Sequence, residues 1–458
     1  MEPKNALGID IGTTTICAVV IDLLTGKVLE SQTVQNDTTI STKYAYEKLQ
    51  DPNAILNKVI QLSNGLVNRF LPIAIGITGQ MHGILYVNDR GEAVSPLYNW
   101  QDERGNLSTK NLGQTYAEYL SLKTGYPMST GYGLTTHYYN WCNDLVPEDA
   151  KFMCTIGDYI AMKLTSSTKP EMSSSNAASL GCYSLERNAF DIEVLGSTGM
   201  KVHLLPEIRK GYAIIGHTAE GIPVSVSIGD NQASFIGSVK DMEHTVLVNV
   251  GTGSQVSIGI KKNAKQVFLG TDAEIRPCFN DWNIYVGSSL CGGSAYALLE
   301  KFFRDVTRMA TGYEFDSLYE IMAKELSNDI QEPLVINTKF RGTRSNPAER
   351  GSIENIGLHN FTPRHMILAI LNGIAKELYA TYQKAGSQNN DSIVYFVGSG
   401  NGLRKNIYLQ NILKSMFQMD LKIPEHKEEA AYGAALFALV GCGYFQSIEE
   451  AQEIICYQ

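Results

Sequence analysis

Residues 224–239 read VSVSIGDNQASFIGSV, an apolar β-type run that stops at Gly229 and passes through one acid, Asp230, into a helical pattern. An aspartate there can cap the helix, whose positive end favours a carboxylate, and it can also take a proton from a bound hydroxyl group. Gly229 would leave room beside it for a small substrate. A second acid, Asp10, breaks the apolar strand of LGIDIGTTT just before Gly12. Burying a carboxylate is costly unless a cation or donors meet it. Magnesium beside phosphate groups would satisfy Asp10, and turn amides are the plainer alternative.

Two glycine-threonine turns accompany these acids: Gly12, Thr13, Thr14 and Thr15 in GTTT, and Gly251, Thr252 and Gly253 in GTGS. Backbone N–H groups of a tight turn can converge on phosphate oxygens, and threonine hydroxyls add donors without bulk. One such turn is an ordinary hairpin; two at equivalent places form a stronger signal. A separate polar group, Gln80, Met81, His82 and Gly83, closes the apolar strand in GITGQMHG, at the strand end where α/β proteins bind ligands. A lone histidine is more often structural than functional, so His82 draws its weight from position. In LYNWQDERG, Trp100 offers a flat face to a sugar and Asp102 an acceptor for hydroxyls, although the pair would also serve as loop anchors; Asn231 can bind a sugar hydroxyl. In VGSGNGLRKN, Gly398, Ser399, Gly400 and Asn401 lead a strand into a helix through small residues that admit a planar base or phosphate.

The elements that position these groups repeat. LGIDIGTTTICAVVIDLLTGKVLESQTV alternates as a strand meander turning at Thr25–Gly26, and TVLVNVGTGSQVSIGIKK later repeats strand, Gly-Thr turn, strand. Gly12, Thr13 and Asp10 correspond to Gly251, Thr252 and Asn249, each at an offset of 239 residues. The echo implies two related α/β halves, 1–240 and 241–458, with the boundary near 238–244. Asp51 and Pro52 open an amphipathic helix that leads into the strand IAIGITGQ. TSSTKPEMSSSNAAS reads as a polar loop.

The 458 residues suffice for two or three cores, and 44% hydrophobic and 19% charged residues are ordinary globular composition. A formal charge of −9 gives no basic footprint for nucleic acid. Eight cysteines without CxxC or metal-ligand spacing point to reduced thiols in a cytoplasm. The first residues lack a signal-peptide pattern, and the longest apolar stretch is short and glycine-broken, so no membrane partner is expected. P-loop, complete GxGxxG, HExxH and GxSxG motifs are absent.

Over nearly its full length the chain resembles the FGGY carbohydrate kinases, through GIDIGTTT, GQMHG, WQDER, TIGDYIAMKL, MSSSNAASLGCY, VHLLPEI, GDNQAS, NVGTGSQ and EEAAYGAAL in order. The resemblance implies an α/β fold of two RNase H-like domains of the actin/hexokinase type, with an ATP- and sugar-binding cleft between them. It implies transfer of the γ-phosphoryl of Mg-ATP to a terminal hydroxyl of a ketose, sedoheptulose first and D-xylulose second. Carried onto this sequence, Asp230 is the base and Asp10 positions Mg2+, through water. Gly12 to Thr15 and Gly251 to Gly253 hold phosphates, and Gly398 to Asn401 border adenine. Gln80, Met81, His82, Gly83, Trp100, Asp102 and Asn231 shape the sugar pocket.

Three departures from the family pattern stand out. Cys17 replaces a common basic residue, Ser399 the middle of a triple glycine, and Met81–His82 the Arg-Glu pair of glycerol kinases, which makes glycerol a poor substrate candidate. A small-molecule partner is expected, and a homodimer is compatible with the sequence. The competing class is an actin-like ATP-binding protein or a sugar sensor without catalysis. The second polar pocket argues against it, because a pure nucleotide switch has no use for one.

Overall fold

The computed structural model describes residues 4–110, 113–262, 273–326, 333–343, 346, 348–386 and 393–458. At the N-terminus the alternating pattern folds as expected: strand Asn5–Ile11 turns through Gly12–Thr14 into Thr15–Asp22, and that strand turns again into Val28–Gln35. Gly26 sits in the second turn at φ 68°, a conformation glycine adopts without a steric penalty. Asp51 caps helix Pro52–Phe70 by accepting from the N–H groups of Asn53 and Ala54, and the buried Ile55, Val59, Leu62 and Leu66 form its inner face.

The chain forms two compact units. The first combines Met1–Lys240 with Pro277–Trp282 and Glu428–Cys456, and the second combines Asp241–Arg276 with Asn283–Lys427 and Tyr457–Gln458. In the first, a seven-stranded sheet runs in the order Ile214–His217, Pro223–Ser225, Ile75–Gly79, Asn5–Ile11, Thr15–Asp22, Val28–Gln35, and Ile228–Gly229 also pairs with Ile75–Gly79.

Helix Glu429–Gly441, EAAYGAALFALVG, belongs to this unit although it lies near the end of the chain. It is apolar on almost every side and is accordingly buried from several directions. A Cβ on Gly8 or Gly76 of the sheet would lie 1.8 Å from the carbonyl oxygen of Ala431 or Ala434, respectively. One on Gly433 would lie 1.9 Å from that of Ala233, in helix Asp230–Ser238. Glycines thus let this helix touch both the sheet that carries Asp10 and the helix that starts at Asp230.

The second unit repeats the opening device. Hairpin Thr245–Val250 and Ser254–Lys261 lies in a six-stranded sheet ordered Ala273–Phe279, Trp282–Ser289, Ser254–Lys261, Thr245–Val250, Tyr395–Ser399, Leu421–Lys422. Asn249 pairs with Ser399 on the neighbouring parallel strand, as Asp10 pairs with Thr78 in the first unit. Val246, Val248, Leu371, Ile374 and Phe396 belong to its core. The architecture is thus a two-domain α/β fold. All eight cysteines are free thiols, and among the described residues no helix is long and apolar enough to cross a membrane.

Candidate active site

Parallel pairing gathers the first unit's polar groups. Asp10 and Ile228 both pair with Thr78, and Gly229 pairs with Gly79. Strands Asn5–Ile11, Ile75–Gly79 and Ile228–Gly229 therefore end side by side. The Gly12 turn, Gln80–Gly83 and Asp230–Asn231 leave these ends at one edge of the sheet. The Thr78 hydroxyl donates to the Ile228 carbonyl at 2.8 Å and locks the shortest of the three strands in place.

Asp230 is the first residue of helix Asp230–Ser238; Gly229 holds the cap position and supplies no side-chain cap. Half-buried, Asp230 accepts from the Asn231 N–H at 2.7 Å through Oδ1. The expected space at Gly229 is taken: a Cβ there would meet the Met81 side chain at 2.7 Å and Gln232 Oε1 at 2.6 Å, so glycine serves internal packing rather than a substrate. Beside it, Asn231 Oδ1 is buried with no hydrogen-bond partner, an acceptor that a ligand hydroxyl would satisfy.

Asp10 Oδ1 is likewise buried and without a partner. Burial first, then the charges of Asp230 and Glu428, push its carboxyl up to about 7. Such a group is one a divalent cation would stabilise in its ionised form. Magnesium commonly keeps several waters and takes one or two carboxylates plus substrate phosphates, so a single buried acid such as Asp10 is chemically suited to it. Glu428, just before the buried C-terminal helix, is a site neighbour that no local motif marks, although EEAAYGAAL contains it. Cys17 lies opposite Asp10 in the hairpin and is buried, its thiol pushed up to about 12, so it brings no charge to the turn.

In the Gly12–Thr15 turn the carbonyls are tied down. Asn36 Nδ2 donates to Gly12 O at 2.8 Å, the Asn36 N–H to Thr14 O at 2.8 Å, and Gln50 Nε2 to Thr13 O at 3.1 Å. The Thr13 hydroxyl is also engaged, donating to Gln80 Oε1 at 3.3 Å and accepting from Trp100 Nε1 at 2.9 Å. An anion would therefore meet Thr13 through its backbone rather than its side chain.

The expected sugar residues divide by exposure. Trp100 is 46% exposed and His82 half-buried, whereas Gln80, Met81 and Gly83 are buried and form a wall from behind. Asp102 requires correction. It is fully buried, and its two oxygens accept from Arg104 Nε (2.6 Å), Arg104 NH2 (3.1 Å), the Arg104 N–H (3.1 Å) and the Lys48 N–H (3.0 Å). These four donors use its acceptor sites, so Asp102 anchors a loop and does not meet a sugar.

His82 is the centre of a γ-turn, with φ 72° and the Gly83 N–H bonded to Met81 O at 2.9 Å. Its Nδ1 lies 2.7 Å from the Ser179 carbonyl, which can only accept, so Nδ1 carries the hydrogen; the ring stacks on Tyr132 at 4.8 Å. Ser179 Oγ also accepts from the His82 N–H at 3.1 Å, and Ser175 Oγ from the Gly229 N–H at 3.0 Å. One helix, Ser174–Leu180, thus braces both His82 and the strand leading to Asp230. Of the expected polar loop, residues 165–170 form turns and bends, whereas Glu171–Ser173 is a strand and Ser174–Leu180 a largely buried helix, whose serines are spent on buried backbone groups. Beneath it, Asn176 Nδ2 donates to Asp158 Oδ1 at 2.9 Å; Asp158 is fully buried, and burial raises its carboxyl to about 7 despite the Asn176 and Thr155 donors.

In the second unit the Gly251–Gly253 turn is closed by the Gly251 N–H bonding to Gly253 O at 2.9 Å. Helix Gly292–Thr311 starts against it: the N–H groups of Gly293 and Ser294 donate to Gly251 O and Thr252 O, both at 2.9 Å. A Cβ on Gly292 would lie 2.3 Å from Gly253 O, which explains the sequence CGGS, a run that matches no ligand motif by itself. Around Gly398–Asn401 the glycines also serve packing. A Cβ on Gly398 would strike Leu403 at 2.3 Å; Gly400, at φ 85°, would strike Val250 O at 2.5 Å. Ser399 is buried and accepts from Asn249 Nδ2 at 2.8 Å, and Asn401 is exposed at the start of the short helix Asn401–Arg404.

The N-terminal domain model of the FGGY family of carbohydrate kinases matches residues 5–246, and its C-terminal domain model matches residues 246–442. Sedoheptulokinase from Homo sapiens is 26% identical over 473 residues, covering 94% of this chain and 97% of that protein. Xylulose kinase from Staphylococcus xylosus is 25% identical, covering 98% of this chain and 93% of that protein. Among solved structures, ligand-bound xylulose kinase from Lactobacillus acidophilus superposes with a TM-score of 0.82 at 20% identity, covering 99% of this chain and 93% of that one.

Proposed function

The chain belongs to the FGGY family of carbohydrate kinases, and from that premise we propose that it transfers the γ-phosphoryl group of ATP to the terminal primary hydroxyl of a ketose, sedoheptulose before D-xylulose. The observation that carries the reading is the set of three adjacent parallel strand ends that bring Asp10, His82, Asp230 and Asn231 to one edge of one sheet. The order of substrates rests on the relative named sedoheptulokinase, whose likeness spans nearly the whole of both chains.

In this reading Asp230 accepts the proton of the attacking hydroxyl as its oxygen bonds to the γ-phosphorus and the bridging oxygen leaves with ADP. The transition state is loose, so the proton departs late and a weak carboxylate base suffices. Asn231 Oδ1 accepts from a sugar hydroxyl, Trp100 offers its ring face, and His82 meets the polyol chain. In the first unit Gly12–Thr15 receive phosphate through backbone N–H groups; in the second, Thr252 and Gly253 offer theirs to phosphate and Gly400–Asn401 edge the base. Asp10 would hold Mg2+, which when bound neutralises developing charge on the phosphate oxygens.

The test is ADP release with sedoheptulose, D-xylulose, D-ribulose and glycerol as acceptors. The highest kcat/KM is expected with sedoheptulose. A clear preference for D-xylulose would install the second substrate, and equal low rates with all four would leave the ketose assignment without support.

A further inference from the structure

Gln50 is almost wholly buried at 1% exposure, yet each polar atom of its side chain points to a group of the candidate site or its supports. Its Oε1 accepts from Gln80 Nε2 at 2.9 Å, and its Nε2 donates to Thr13 O at 3.1 Å and to Thr38 Oγ1 at 3.5 Å. The first two contacts close a ring: Thr13 Oγ1 to Gln80 Oε1, Gln80 Nε2 to Gln50 Oε1, Gln50 Nε2 back to Thr13 O. The third starts an arm in which Thr38 donates to Asn36 Oδ1 at 2.8 Å and Asn36 Nδ2 donates to Gly12 O at 2.8 Å.

The direction of every bond in the ring is set by the Thr13 carbonyl, which can only accept. Gln50 Nε2 therefore faces it, which leaves Gln50 Oε1 to accept from Gln80 Nε2 and Gln80 Oε1 to accept from the Thr13 hydroxyl. That hydroxyl in turn accepts from the Trp100 indole N–H. A trans peptide sets each N–H antiparallel to the preceding carbonyl, and no peptide bond among the described residues is cis. Holding Gly12 O on Asn36 and Thr13 O on Gln50 therefore turns the Thr13 and Thr14 N–H groups away from these two partners.

We propose that Gln50 is a positioning residue for phosphoryl transfer: it fixes the Gly12–Thr14 backbone in its anion-receiving orientation and joins that turn, through Thr13, to Trp100 and Gln80 in the sugar wall. The proposal rests on the reading of this turn as a phosphate loop. Gln50 touches neither sugar nor phosphate, so its loss reaches the chemistry through geometry. Misplacing a reacting group by about an ångström costs on the order of a hundredfold in rate.

The experiment compares Gln50→Met, which keeps size without donors, with Thr13→Val and Thr13→Ser in the full-length enzyme, using the ketose that the wild type phosphorylates fastest. Gln50→Met is expected to lower kcat by about tenfold to a hundredfold while KM for ATP and ketose stays within about threefold. Thr13→Val should fall in the same direction, and Thr13→Ser, which restores the hydroxyl, should return near to wild type. Melting temperatures accompany each variant; should Gln50→Met fail to fold, the Thr13 pair decides. Folded Gln50→Met and Thr13→Val enzymes with wild-type kcat would overturn this proposal alone. A wild type that transfers phosphate to no sugar would overturn the phosphate-loop reading and this proposal together.

Discussion

At the scale of residues, Asp10 and Asp158 carry a consequence for stability. Each carboxyl has an ordinary value of 3.8, raised to about 7 in the folded protein, with burial the largest cause in both. The folded state therefore holds protons that the unfolded state releases between these values, and stability falls as pH rises through that window. In metal-free protein the melting temperature is expected to drop between about pH 4 and about pH 7, by a few kcal/mol in free-energy terms, and to level off above that. Asp10→Asn should flatten the slope and raise the melting temperature at the alkaline end, and Mg2+ with ADP should reduce only the share belonging to Asp10. A slope unchanged in Asp10→Asn would contradict the buried, charge-crowded setting of this acid. Residue types are legible in the sequence where a turn or strand end makes them conspicuous. Their directions are not: Asp102 faces Arg104 and Lys48, and Gln80 faces Gln50, because partners as far as 30 and 54 residues away decide which way a side chain points.

At the scale of elements, the strands and the first helix are readable because their determinants are local: alternation for the hairpins, and Asp51 with Pro52 for helix Pro52–Phe70. Helix Ser174–Leu180 has the composition of a loop because its polar residues satisfy buried groups elsewhere, including the Gly229 N–H and the His82 N–H. Close helix packing is equally hidden, since nothing in EEAAYGAAL says which backbone its glycine will meet. Gly433→Ala tests that contact. With a Cβ 1.9 Å from Ala233 O, the helix pair must separate, at a cost of roughly 1–3 kcal/mol or more. Thermal melting should show a large loss, with residual activity reduced because helix Asp230–Ser238 is displaced. A wild-type melting temperature would mean the two helices are not packed through this glycine.

At the scale of the whole molecule, the repeat at an offset of 239 residues has a structural counterpart: each unit opens with a hairpin, and Asp10 pairs with Thr78 as Asn249 pairs with Ser399. Sequence order conceals that Glu428–Cys456 folds with the first unit, where Glu428 adds charge beside Asp10. The family places the chain among carbohydrate kinases, which sets aside a purely structural ATP-binding role.

Everything proposed for the reaction turns on Asp230 as the base in transfer from ATP to a ketose hydroxyl. The most direct measurement pairs steady-state ADP release on sedoheptulose with calorimetric ADP binding, in wild type and Asp230→Asn. Loss of a general base predicts a kcat lower by about 10² to 10⁴-fold with ADP affinity essentially unchanged. Turnover by Asp230→Asn close to that of the wild type would contradict the account.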